Sequence, residues 1–167
     1  MFCKGLLTIN APILRQFSSS APNVLKIGDV LSETRVFTTQ DVVDYAKVSH
    51  DSNPLHFDSE VAQNAGFEDR LVHGMLVASL FPRIISSYFP GAVYVSQSLQ
   101  FRSPVYVGDE ILGEIHAINL RETKKKYLAK LTTKCFKNGR LLVLEGEALA
   151  ILPSLAVEQR HSLADNS

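Results

Sequence analysis

The stretch Gly74 to Phe89, GMLVASLFPRIISSYF, is apolar around most of its circumference when coiled as a helix, and this constrains the fold more than any other feature. A helix with one apolar stripe can lie on a surface, whereas one that is apolar on nearly every side must be surrounded by protein. The residues that follow can supply the surroundings. After a Pro90-Gly91 turn the sequence predicts extended segments over about Val93 to Arg102, Glu110 to Arg121, Lys126 to Lys137 and Arg140 to Leu152. Tyr127, Ala129, Leu131, Thr133 and Cys135 show the alternation of a strand with one buried face. Asn138-Gly139 between the last two segments is a hairpin signal, because both residues tolerate positive φ. Helices first and long antiparallel strands after is an α+β layout, here with the sheet wrapped around one central helix. Pro82 should kink that helix.

Composition narrows the partners. The 167 residues are 46% hydrophobic and 20% charged, which fits a single soluble domain without internal repeats. Lys plus Arg and Asp plus Glu both number 17, so the chain lacks the basic excess of a nucleic-acid binder. The longest apolar run, Met75 to Pro82, is closed by Arg83 and falls short of the roughly 20 residues of a membrane span. Cys3 and Cys135 match neither a metal-site nor a redox spacing.

No acid precedes Asp29, while Lys4, Arg15, Ser18-Ser19-Ser20 and several apolar residues do. That is the make-up of an organelle transit peptide, and Arg15-Gln16-Phe17-Ser18 resembles a mitochondrial processing site; the plain alternative is a frayed N-terminal tail. The expected organisation is therefore a transit peptide over 1–22, a folded domain over 23–153 and a flexible polar tail over 154–167. Within the domain, Leu31 to Phe37 should be extended, followed by a helix capped by Thr38 or Thr39 and ending near Asp51. Ser59 should cap a short helix running to Ala65 and stopped by Gly66.

The run Tyr45-Ala-Lys-Val-Ser-His-Asp-Ser-Asn-Pro-Leu-His56 carries the chemistry. On a continuous helix, Asp51 and His56 would point in different directions. Pro54 and the turn before it allow His56 to fold back toward Asp51, giving a carboxylate and an imidazole that can hold one water and move protons both ways. The plainer alternative is a helix cap, an Asn-Pro turn and a surface histidine. A metal site built from His50, Asp51, His56 and Asp58 is a weaker alternative, without a supporting second cluster. Further on, His73-Gly74 opens the buried helix, and the Gly74 N–H could donate to an oxygen that becomes negative during a reaction.

These residues, with Val72-His-Gly-Met75 and Gln100-Phe-Arg-Ser-Pro-Val-Tyr-Val-Gly-Asp109, resemble the MaoC-like, or (R)-specific enoyl-CoA hydratase, family of hot-dog proteins over about Lys26 to Pro153. The resemblance implies a single hot-dog fold, a homodimer, and reversible syn addition of water to a trans-2-enoyl thioester, without metal or organic cofactor. It makes Asp51 and His56 the catalytic dyad, Asn53 the polar residue supporting it, and Gly74 the N–H donor to the thioester carbonyl. The family usually carries Gly where this chain has His50. Given the single-unit length and the transit-like start, the closer resemblance is to the branch of the family that dehydrates (3R)-3-hydroxyacyl groups on acyl carrier protein in mitochondrial type II fatty acid synthesis, and this is the function it implies. The alternatives are a hydratase of CoA thioesters, a hot-dog thioesterase and a non-enzymatic acyl-thioester binding module. Lys124-Lys125-Lys126 is a candidate contact for an acidic carrier, with Arg70, Arg83 and Arg102 as others.

Overall fold

The computed structural model describes residues 24–157, so the expected transit peptide and most of the expected tail lie outside the described residues. Strand β1 (Val30–Val36) leads into helix α1 (Thr39–Ser49). A single 3₁₀ turn (Pro54–His56) and helix α2 (Ser59–Asn64) follow. Helices α3 (Gly74–Ala78) and α4 (Leu80–Tyr88) form the central helical segment. Strands β2 (Val93–Gln97), β3 (Gln100–Phe101), β4 (Glu110–Thr123), β5 (Lys126–Lys137) and β6 (Leu141–Leu152) complete the chain. The antiparallel sheet has the order β1-β4-β5-β6-β2, with β3 also paired to β6. This is the hot-dog arrangement expected of an α+β chain with one central helix.

The core explains why the helix had to be apolar all round. Leu80, Phe81, Ile84 and Ile85 are at most 1% exposed, and they face a sheet lined by Ile111, Ile115, Ala129, Leu131, Ala148 and Ala150. At Gly113 the helix comes close, since a Cβ there would lie 3.0 Å from Ile84 Cδ1. Truncating Phe81, which is fully buried, would remove about 3–5 kcal/mol of stability.

The kink attributed to Pro82 appears as a break at Ser79, between α3 and α4. Pro82 has no N–H for the carbonyl of Ala78, one turn earlier, so the ladder fails before the proline rather than at it. At the break Ser79 donates both its hydroxyl, at 2.6 Å, and its N–H, at 3.2 Å, to Leu76 O.

Thr38 and Asp41 form the capping box of α1. The cap of α2 is Asp58 and not Ser59: Asp58 Oδ1 accepts from the N–H groups of Glu60 and Val61, while Ser59 donates its hydroxyl to Asp69. The extended segment from Val93 carries a bulge at Val95 within β2 and divides into β2 and β3 at Ser98-Leu99, where Ser98 O sits in the place a Cβ on Gly146 would take. Asn138 and Gly139 take φ values of 51° and 69°, the mirror-image turn expected of that pair. Lys124 and Lys125 adopt the same kind of turn at 43° and 74°, and Lys126 already belongs to β5. Past Pro153 the chain stays attached, because Leu155 O accepts from Leu25 N at 2.8 Å and Ala156 bridges Val24. Among the described residues no helix is long and apolar enough to cross a membrane.

Candidate active site

Helix α1 ends in a left-handed cap at His50 (φ 59°, ψ 16°), which turns the chain sharply and delivers Asp51 beyond the helix. Asn53 then caps the 3₁₀ turn: its Oδ1 accepts from Leu55 N at 3.1 Å, while its own N–H donates to Asp51 Oδ1 at 3.2 Å. Pro54 sits at the first position of that turn, where a missing N–H costs nothing. The result returns His56 toward Asp51, with His56 Nε2 3.9 Å from Asp51 Oδ2. The gap is too long for a direct hydrogen bond.

The two partners differ in setting. The His56 side chain is 11% exposed and that of Asp51 is 51% exposed. His56 Nδ1 lies 2.9 Å from Leu71 O, and a carbonyl only accepts, so Nδ1 carries the proton and Nε2 faces Asp51 bare when the ring is neutral. Burial is the main influence on this imidazole and holds its pKa below the usual 6.5, followed by the Leu71 bond, which acts the other way. His73 reinforces the lowering and the Asp51 charge opposes it.

His56 opens onto a cavity of about 330 Å³, whose wall includes Leu71, Gly74, Phe101, Pro104 and Val143. Gly74 is the first residue of α3, so its N–H has no acceptor within the helix. Its missing side chain is filled by Phe101, since a Cβ on Gly74 would lie 2.5 Å from Phe101 Cε1. Of the four residues assigned from sequence, His56 and Gly74 line the cavity, Asp51 stands beside His56, and the Asn53 side chain serves the turn.

The structure adds His73, which the sequence marked only as the neighbour of Gly74. It is 2% exposed, its ring is stacked on His56 at 3.7 Å between centroids and 28° between planes, and Nε2 lies 3.0 Å from the backbone oxygen of Asp51. The only sequence signal was a histidine placed just before a helix that must be buried.

Asp51, His56 and His73 bring potential metal-ligand atoms within 4.8 Å of one another. The weaker metal alternative drawn from spacing used a different set, and two of its members are elsewhere: Asp58 is occupied as the cap of α2, and His50 is the exposed cap of α1. The new trio fits a cation poorly. His73 Nε2 is already a donor to Asp51 O, and a cation in the plane of one stacked ring would lie well out of the plane of the other.

A family model described as "MaoC like domain" matches residues 25–136. The chain is 65% identical over 162 residues to "3-hydroxyacyl-[acyl-carrier-protein] dehydratase, mitochondrial" of Arabidopsis thaliana, covering 96% of this chain and 95% of that one. It belongs to the MaoC-like family. An "(R)-specific enoyl-CoA hydratase" of Aeromonas caviae is 41% identical over 131 residues, covering 77% of this chain and 96% of the relative. The solved structure of an (R)-hydratase from A. caviae superposes with a TM-score of 0.72 at 40% identity, covering 77% of this chain and 98% of the other.

The MaoC-like match contains Asp51, Asn53, His56, His73 and Gly74, while the cavity residues Val143 and Leu144 lie beyond it on β6. The family resemblance leads one to expect Gly at position 50, and the left-handed backbone there is the physical reason a glycine would suit it. Here a histidine adopts the conformation and the turn into Asp51 is retained.

Proposed function

We propose that this chain is a hydro-lyase, a (3R)-3-hydroxyacyl-[acyl-carrier-protein] dehydratase that reversibly removes water to give a trans-2-enoyl thioester. The observation that carries the reading is the bare Nε2 of His56, 3.9 Å from the Asp51 carboxylate, at a cavity shared with the free N–H of Gly74. Elimination needs a base for the C2 proton, an acid for the departing C3 hydroxyl and a donor to the thioester oxygen as it gains enolate character. In this reading Asp51 and His56 are the catalytic dyad, Asn53 supports it through the turn, and Gly74 donates to the thioester carbonyl. The dyad starts a turnover holding one proton. One member gives that proton to the leaving hydroxyl, forming water, while the other takes the C2 proton as the C2–C3 double bond forms. A single transfer between the two then restores the pair, whose protonation belongs to both residues together. Because both groups act from one side of the cavity, syn elimination follows.

The acyl carrier is supported by the dehydratase names of relatives in A. thaliana and Solanum lycopersicum, both also named mitochondrial. The 41% identical relative named for CoA thioesters favours the second reading, a hydratase with the same dyad and a different carrier. Both carriers present a phosphopantetheine arm, so the reacting end does not separate them. Basic residues at the cavity do so better. Arg102 lines it while pairing with Glu145 at 2.8 Å, and Arg70 precedes Leu71; Arg83, which pairs with Glu33 of β1 at 2.6 Å, does not line it. Lys124 to Lys126 stand at the other end of β5: Cys135, paired with the cavity residue Leu144, is nine residues from Lys126. At strand rise that is about 30 Å along the strand.

The deciding experiment compares kcat/KM for (3R)-3-hydroxyacyl groups of equal chain length on acyl carrier protein and on CoA. Preference for the carrier protein is expected, weakened by Arg102→Glu and unaffected by charge reversal at Lys124 and Lys125. Equal or better use of CoA would select the hydratase reading, and binding without turnover would select the acyl-binding module. A mitochondrial location is tested by fusing residues 1–22 to a fluorescent protein, with import expected and a cytosolic signal contradicting it.

A further inference from the structure

His73 is buried and histidine, yet nothing in the chemistry above uses it. Its Nε2 lies 3.0 Å from Asp51 O, and because that oxygen only accepts, Nε2 must carry the proton. In the neutral ring Nδ1 is then a bare acceptor, and among the described residues it is buried without a partner. An apolar side chain would fill the same space and leave no orphaned nitrogen. The bond to Asp51 and the face offered to His56 are therefore what an imidazole contributes here.

The surroundings fix this ring on both sides. Tyr45 of α1 lies at 5.0 Å between centroids and 55°, Phe57 at 6.1 Å and 68°, and His56 is stacked at 3.7 Å. The segment bearing it is itself anchored, with Val72 N donating to Val105 O at 2.8 Å and Leu71 bridged to Tyr106. Two residues apart on that segment, Leu71 O fixes His56 Nδ1 and His73 fixes Asp51. The other hydrogen bonds at Asp51 among the described residues run only to Ser49 and Asn53, each two residues away. His73 thus ties Asp51 itself to the body of the fold, while Leu71 anchors the other end of the loop by donating its N–H to Leu55 O at 3.0 Å.

We propose that His73 is the positioning residue of the dyad, holding the Asp51 backbone by its Nε2–H and backing the His56 imidazole with its ring face, so that one side chain sets their separation. Its catalytic consequence rests on the dehydratase reading, but its geometry does not. A displacement of about 1 Å at a reacting group can cost about 100-fold in rate.

The test uses the full chain. His73→Phe keeps a flat ring against His56 and loses the donor, and kcat should fall by up to about 100-fold with KM little changed. His73→Gln places an amide N–H where Nε2 was and should recover most of that loss. Wild-type kcat in His73→Phe, or equal losses in both variants at unchanged Tm, would overturn the proposal. Nitrogen-15 NMR of the histidines in the wild-type protein decides independently of any variant's folding: His73 should be the Nε2–H tautomer at pH 7, and the Nδ1–H tautomer would overturn the assignment. A wild-type protein inactive on both carriers would end the dehydratase reading and leave the spectrum to judge the hydrogen bond.

Discussion

Asp51 and His56 are separated by a distance that suits one water between them, so removing either should break the same proton circuit. Asp51→Asn and His56→Ala are each expected to fold and to lose about 10²- to 10⁴-fold in kcat. Dehydration assays on variants with native circular dichroism check this, and a folded variant with most of its activity would remove that residue from the dyad. His56 also makes a pH prediction through stability. Its pKa is lowered in the fold, chiefly by burial, so the unfolded chain binds a proton more readily and protonation favours unfolding. The contribution is fully present above the ordinary value of 6.5 and is lost as pH falls through the lower folded value. Thermal melts at pH 8 and pH 5 should therefore show a larger drop in Tm for wild type than for His56→Gln. Equal drops would mean that burial does not disfavour the charged ring.

At the scale of elements, the end of α1 is where backbone conformation and site geometry meet. His50 holds φ 59°, a region in which a Cβ meets the following carbonyl, and glycine does not have this contact. His50→Gly should raise stability by about 1 kcal/mol, which for a domain of this size raises Tm by roughly 2–4 °C. Urea denaturation measures it, and a loss of stability would show that the His50 side chain makes a contribution larger than the backbone cost. The element explains why the exchange is tolerated: the cap N–H donates to Ala46 O at 2.8 Å, a bond that any residue in this conformation can make. The same reasoning covers the β4–β5 hairpin, where Lys124 and Lys125 take positive φ in a turn remote from the cavity.

Across the whole molecule the sheet ends on β2, whose free edge has no partner strand among the described residues. Val93 and Val95 on it are 53% and 51% exposed, and Phe101 on β3 is 57% exposed. An apolar strand edge of this kind invites pairing with another chain, and a two-fold axis beside β2 would extend the sheet across two copies. A homodimer is therefore expected in light scattering at micromolar concentration, and Val93→Lys with Val95→Lys should shift it toward monomer. A wild-type monomer would mean that this edge is managed in some other way.

Much of this protein was legible from its residues because local rules carried the information. Period-two apolar alternation in β5, the Thr38 cap of α1, and the turn pair Asn138-Gly139 each act within a few residues, and each appears where expected. The Asp51-to-His56 run was legible for the same reason, since Asn53 and Pro54 fold it back through contacts internal to the run. What only the tertiary structure decided depends on residues far apart in the chain. Spacing suggested His50 and Asp58 as companions of the pair, whereas packing brought His73, which reaches Asp51 across 22 positions. The lysines lay on a turn in either view, but their distance from the cavity follows from strand register, which no local pattern encodes. Burial likewise sets the basicity of His56, and burial is a property of everything packed around a side chain rather than of its neighbours in sequence.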